Sequence, residues 1–96
     1  MSDLLPEAEL ARRVAALPGW TRAGDALQRT FDRGDFAGSL RFVNAVAAIA
    51  NELDHHPDIA ISWNSVTLTL SSHDVGGVSE RDFALAARID ALPASA

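Results

Sequence analysis

Polar and apolar positions change period several times along the chain, and each change marks an element. Leu10, Val14 and Leu17 recur at helical spacing, which predicts a first helix from about Pro6 to Leu17. Pro6 fits a first turn, and Glu7 and Glu9 suit the positive end of the helix dipole. Pro18-Gly19 then stops the helix. From Trp20 to Phe31 the pattern is extended, with Trp20, Leu27 and Phe31 as apolar anchors. Gly24-Asp25 reads as a turn between two short strands.

The strongest local pattern begins after Gly34. Asp35 can cap a helix whose apolar residues continue to Leu53. Phe36, Leu40, Val43, Ala47 and Ala50 share one side of it, and Phe42, Val46, Ile49 and Leu53 widen the stripe to about half the circumference. A sheet face would cover part of that arc. The remainder packs either within the chain or against another subunit.

Pro57 ends the helical region by residue 56, because the residue before a proline is pushed away from α geometry. Ile59, Ile61 and Trp63 then alternate with smaller residues. After a turn at Asn64-Ser65, Val66, Leu68 and Leu70 alternate with Thr67, Thr69 and Ser71, which predicts a hairpin with one buried face. Trp63 in this alternation reads as a brace for the hairpin or as a cover for a flat ligand, and Trp20 as a core residue. Gly76-Gly77 breaks the chain again. Ser79-Glu80-Arg81-Asp82 resembles a capping box and opens a third helix to about Ile89, with Phe83, Ala86 and Ile89 inward. The residues around Pro93 read as a frayed tail. These elements make an α+β fold, a four-stranded antiparallel sheet with three helices packed on one face.

Composition narrows the function. At 96 residues, residues 1–96 are expected to form a single domain, small enough that oligomerisation would supplement its stability. The absence of cysteine excludes disulfides, thiolate metal sites and cysteine nucleophiles. The start carries no signal-peptide pattern, and no apolar run approaches the ~20 residues of a membrane span. A formal charge of −5, with eight scattered arginines as its only Lys or Arg, argues against direct nucleic-acid binding. A cytoplasmic location is expected.

The chain has three histidines. His55 and His56 stand together in Asp54-His55-His56-Pro57-Asp58, where a helix gives way to extended chain. His73 follows the hairpin, in Ser71-Ser72-His73-Asp74. If the strand continues that far, His73 points with Thr67, Thr69 and Ser71, away from the core. Imidazoles suit proton transfer near neutral pH, and Asp54, Asp58, Asp74 and Asp82 could orient them. Three histidines could instead bind a metal ion, although neighbours in sequence are awkward ligands. In the plainest reading, His55 and His56 cap the helix end and His73 is an ordinary surface residue. Phosphate-binding glycine loops, serine nucleophile elbows and dinucleotide fingerprints are absent.

The assembled pattern resembles the pterin-4a-carbinolamine dehydratases, also called 4a-hydroxytetrahydrobiopterin dehydratases. The resemblance runs from Gly19-Trp20 to about Ile89 and centres on Asp54 to Asp58. It continues through Trp63-Asn64, the alternating strand, Ser72-His73-Asp74, Gly76-Gly77 and Asp82. It implies dehydration of a 4a-hydroxytetrahydropterin to the quinonoid dihydropterin in tetrahydrobiopterin recycling, a hydro-lyase reaction. It also implies that the pterin is substrate, with no cofactor and no metal. His55, His56 and His73 would line the substrate site, and Asp82 would complete the catalytic set. On this reading His55 and His73 exchange the protonic roles, His56 orients the pterin, and Asp82 orients His73 or stabilises its charged form. The resemblance further implies a homodimer or homotetramer and a functional link to an aromatic amino-acid hydroxylase. The alternative it carries is a non-catalytic protein-binding, assembly or transcriptional-coactivator module of the same fold. Three positions depart from the commoner pattern: Ser72 where threonine is frequent, Asn51 where glutamate is frequent, and Trp63 where tyrosine is frequent.

Overall fold

Capping side chains decide where the second and third helices begin. The structure, a computed structural model, describes residues 4–96. Pro6 precedes the first helix, α1 (Glu7–Ala15). This helix is shorter than its apolar spacing predicts. Ala16 and Leu17 bond back to Arg13 and Val14 in tightened three-residue turns, because the chain must leave α geometry ahead of Pro18. The extended segment then forms β1 (Thr21–Ala23) and β2 (Ala26–Asp32), joined at Gly24-Asp25 as predicted.

Asp35 caps α2 (Phe36–Leu53) by accepting the Gly38 amide at 2.7 Å. The hairpin follows as β3 (Asp58–Ser62) and β4 (Ser65–Leu70). Its two-residue turn is Trp63-Asn64, one residue earlier than expected, because Ser62 pairs with Ser65. Trp63 therefore sits at the tip with a left-handed φ of 50° and is 70% exposed. It does not brace the hairpin. The third helix, α3 (Glu80–Asp90), opens on the predicted capping box of Ser79 and Asp82.

The strand order is β1-β2-β4-β3, antiparallel throughout. Val66, Leu68 and Leu70 of β4 point to the helix side and are fully buried. Phe42, Val46, Ile49 and Ala50 of α2 and Phe83, Leu85, Ala86 and Ile89 of α3 close over that side. Each large side chain so buried contributes roughly 1.5–3 kcal/mol. The other sheet face carries polar pairs, Gln28 with Thr69 at 3.2 Å and Thr30 with Thr67 at 2.8 Å.

Helix α2 uses only part of its wide stripe in this core. Phe36 and Leu40 remain exposed, as do Ile59 and Ile61 on edge strand β3. Trp20 is a core residue, as expected, and its indole donates to both Asp90 oxygens at 3.0 Å. The segment after Pro93 is not frayed. Arg33 donates to the carbonyls of Ala94 and Ala96 at 2.7 Å and tethers it. No helix among the described residues is long and apolar enough to cross a membrane.

Candidate functional site

Helix α2 stops before Pro57 has any effect on it. Asp54 adopts a left-handed φ of 51°, the His55 amide donates to Ala50 at 3.1 Å, and the Asp54 amide donates to Asn51 at 3.3 Å. This is a Schellman ending, which reverses the chain at Asp54 and satisfies the last carbonyls. His55 thus caps the helix with its backbone, and its imidazole is left for another partner. That partner is Asp82, with His55 Nε2 2.6 Å from Asp82 Oδ1.

Asp82 is fully buried, and its remaining oxygen is also occupied. Oδ2 accepts from the Ser79 amide at 2.9 Å and from the Ser72 hydroxyl at 2.9 Å. The capping box and the imidazole share one carboxylate. Its two oxygens accept three hydrogen bonds, which offsets the cost of burying the group. Asp82 was expected behind His73; the structure puts it behind His55 instead. Residue 82 at the third position of α3 faces inward beside the end of α2, where His55 leaves the helix.

His73 does not extend β4, which ends at Leu70. It sits in a turn closed by an isolated bridge between Ser72 and Gly77. Gly76 takes a φ of 75° there, and a Cβ on Gly77 would lie 2.9 Å from the Leu4 side chain. Gly76 therefore serves the turn conformation, and Gly77 leaves room for the Leu4 side chain against the turn. His73 still reaches the open side as expected. With Thr69, Ser71, Asp25, Ala26, Asp58, Gly76 and Gly77 it lines a cleft of about 370 Å³. His55 and His56 are not part of that lining, although Asp58 follows His56 by two residues.

His56 is exposed and its Nε2 lies 2.9 Å from Asn51 Oδ1, one turn back on α2. The Asp74 carboxyl is held below its usual value chiefly by the hydrogen bond from Arg81, at 2.7 Å, with a smaller pull from His55. No group of three or more His, Cys, Asp or Glu among the described residues is placed to hold a metal ion.

Ser72, Ser79 and Asn51 contact this machinery, and Asp25 lines the cleft. None was singled out from the sequence as a site residue. Ser79 carried a visible signal through its capping box. Ser72 and Asn51 carried another, as departures from the pattern the chain otherwise resembles. Asp25 lay in a turn with no mark of chemistry.

Fold and site together define a small α+β protein with a carboxylate-held imidazole, His55, and a cleft lined by a second, His73. A family profile described as pterin 4 alpha carbinolamine dehydratase matches residues 3–92. A candidate pterin-4-alpha-carbinolamine dehydratase of Thermosynechococcus vestitus is 46% identical over 92 residues, covering 96% of this chain and 97% of the relative. One from Roseiflexus castenholzii is 47% identical, covering 96% and 99%. The crystal structure of a transcriptional coactivator/pterin dehydratase from Brucella melitensis superposes with a TM-score of 0.85 at 35% identity, covering 91% of this chain and 95% of that one. A pterin dehydratase-like protein identified as a RuBisCO assembly factor in the alpha-carboxysome gives 0.58 at 32% identity, covering 75% and 83%. The chain belongs to the pterin-4a-carbinolamine dehydratase family.

Proposed function

We propose that the protein dehydrates 4a-hydroxytetrahydropterins to quinonoid dihydropterins, a hydro-lyase step of cytoplasmic tetrahydropterin recycling downstream of an aromatic amino-acid hydroxylase. The whole chain acts as one dehydratase domain in this reading. Breaking the C4a–O bond requires a proton on the departing hydroxyl. Forming the C4a=N5 double bond requires loss of the N5 proton. An acid and a base must therefore address two atoms of one ring.

The observation that carries the reading is the 2.6 Å contact between His55 and buried Asp82. A carboxylate on Nε2 stabilises the imidazolium and leaves Nδ1 to take the N5 proton. His73, at the cleft, then supplies the proton to the leaving hydroxyl. His56 orients the pterin, and Asp82 acts through His55 rather than on substrate. The Asp25 and Asp58 carboxylates in the cleft lining offer acceptors for the amino and ring N–H donors of a pterin. The test is a direct assay with synthetic 4a-hydroxytetrahydropterin, following the quinonoid product by absorbance. Dehydration no faster than without protein would end this reading.

A second reading is supported by the exposed Phe36, Leu40, Ile59, Ile61 and Trp63. Ile59 and Ile61 pair with Leu68 and Val66, so they face the helix side of an edge strand. The Ser39 hydroxyl, between Phe36 and Leu40, donates to the Trp63 carbonyl at 2.6 Å, which sets the start of α2 over the same hairpin. In this reading the apolar surface joins copies of the chain as a homodimer or homotetramer. A purely protein-binding module would use it with no dehydratase activity, and the same assay separates the two.

A further inference from the structure

Ser72 touches both parts of the candidate site. Its amide donates to the Gly77 carbonyl at 2.8 Å, and its carbonyl accepts from Gly76 at 3.0 Å and Val75 at 3.1 Å. These bonds close the turn that carries His73. Its side chain points the other way. Ser72 is only 1% exposed, and its hydroxyl donates to Asp82 Oδ2 at 2.9 Å while Asp82 Oδ1 holds His55. One residue thus joins the backbone of the His73 turn to the imidazole of His55.

The hydrogens in this network run one way. Ser72 has a single hydroxyl hydrogen, and Asp82 receives it. The 2.7 Å contact between the Ser72 and Ser79 hydroxyls therefore uses the hydrogen of Ser79. Ser79 Oγ accepts in turn from the Arg81 amide at 3.3 Å. The relay passes from the Arg81 amide through Ser79 and Ser72 to Asp82, each link polarising the next. With the Ser79 amide added, the donors leave Asp82 to act purely as an acceptor. The hydrogen between Asp82 and His55 then belongs to the imidazole.

We propose that Ser72 is a positioning residue. Its hydroxyl keeps the His55 hydrogen on Nε2, which assigns Nδ1 to substrate, and its backbone closes the turn that carries His73. The catalytic consequence rests on the dehydratase reading above. The tautomer does not, and it is measurable in the protein alone.

The test compares wild type with Ser72→Ala, Ser72→Thr and Ser79→Ala by ¹⁵N NMR of the histidine rings across pH. Rates and melting temperatures are taken in parallel. In wild type the neutral His55 ring is expected as the Nε2–H tautomer. Ser72→Ala is expected to mix the tautomers. It should lower kcat about tenfold with KM nearly unchanged, consistent with an effect on the chemical step. Ser72→Thr keeps the hydroxyl and should restore both. Ser79→Ala removes the side-chain helix cap and lowers the melting temperature, yet leaves the Ser72 hydroxyl on Asp82, so the His55 tautomer should persist. A Ser72→Ala protein with the wild-type tautomer overturns the proposal. So does a Ser79→Ala protein that disturbs His55 equally, since that indicates general loosening. If wild type does not dehydrate the substrate, the functional reading fails while the NMR comparison still decides the role of Ser72.

Discussion

His55 Nε2 and Asp82 Oδ1 meet at 2.6 Å across 27 residues of sequence. Two helix ends make the contact. A left-handed Asp54 releases the His55 imidazole from α2, and the capping box of α3 fixes the Asp82 carboxylate. Neither cap was selected by the other, yet both bring their side chains to one buried point.

Asp82→Asn tests what the charge contributes. The amide keeps the shape, but its NH₂ must face either the His55 hydrogen or the Ser72 and Ser79 donors. Donor meets donor in each case. A fall in kcat on the order of 100-fold is expected, the lower range for a disabled acid–base group. Unfolding in urea should show a loss of about 1.5–3 kcal/mol, typical of a hydrogen bond to a charged group. Wild-type turnover in a folded Asp82→Asn protein would remove His55 from the proton-transfer step.

Asn51 makes a different kind of prediction, because His56 is assigned to orientation. Asn51→Ala removes the acceptor 2.9 Å from His56 Nε2. The freed ring should raise KM several-fold, about 3–10-fold for one lost exposed hydrogen bond, with kcat close to wild type. Asn51→Glu retains an acceptor and should keep affinity nearer to wild type. Steady-state kinetics on the two variants decides this. A kcat effect without a KM effect would move His56 from binding to chemistry.

The start of helix α2 was legible in the sequence to the residue, because Asp35 is a strong cap, and its body was legible because the apolar run is long. The α3 capping box was legible for the same local reason. The hairpin was legible as a hairpin, but its turn shifted by one residue, since alternation specifies which residues share a face and says little about the tip. Trp63 lost its assigned packing role through that shift. The helix stop at Asp54 was hidden behind the more conspicuous Pro57. The three candidate histidines and Asp82 were visible, but the partner of Asp82 was not. That choice depends on how α2 and α3 converge, and no period in either helix encodes it. Ser72 and Asn51 stood out only as substitutions in a familiar pattern, and their contacts required the fold.

Two surface carboxylates give the acid stability a sign. The Glu52 carboxyl is held below its ordinary value, chiefly by the hydrogen bond from Arg88 at 2.6 Å, and Asp74 is lowered by Arg81. A carboxyl lowered in the folded state contributes stability above its unfolded value. That contribution is lost as pH falls through the folded value. Melting temperature should therefore decline as pH drops below the ordinary carboxylate range. Arg88→Met should remove the Glu52 share of that decline, and high salt should reduce it in wild type, because both groups are exposed. A melting-temperature profile for Arg88→Met that parallels wild type through the acid range would show that this ion pair contributes nothing.

The edge strand yields the last prediction. β3 is bonded on one side by β4, and its five residues are all exposed. Ile59 and Ile61 face the helix side without a helix above them, and an uncovered apolar edge of this kind invites another strand. Phe36 and Leu40 continue the apolar surface on α2, beyond what the chain's own core uses. If a second copy covers this surface, native mass measurement will give a dimer or tetramer at micromolar concentration. Ile61→Lys places a charge in that contact while the partner strand β4 and the core beneath it stay intact. The variant should fold, as judged by circular dichroism, and should run as a smaller species. A wild-type protein that is monomeric at every concentration would leave the edge to some other partner. An Ile61→Lys protein that keeps the wild-type mass would place the subunit contact elsewhere on the molecule.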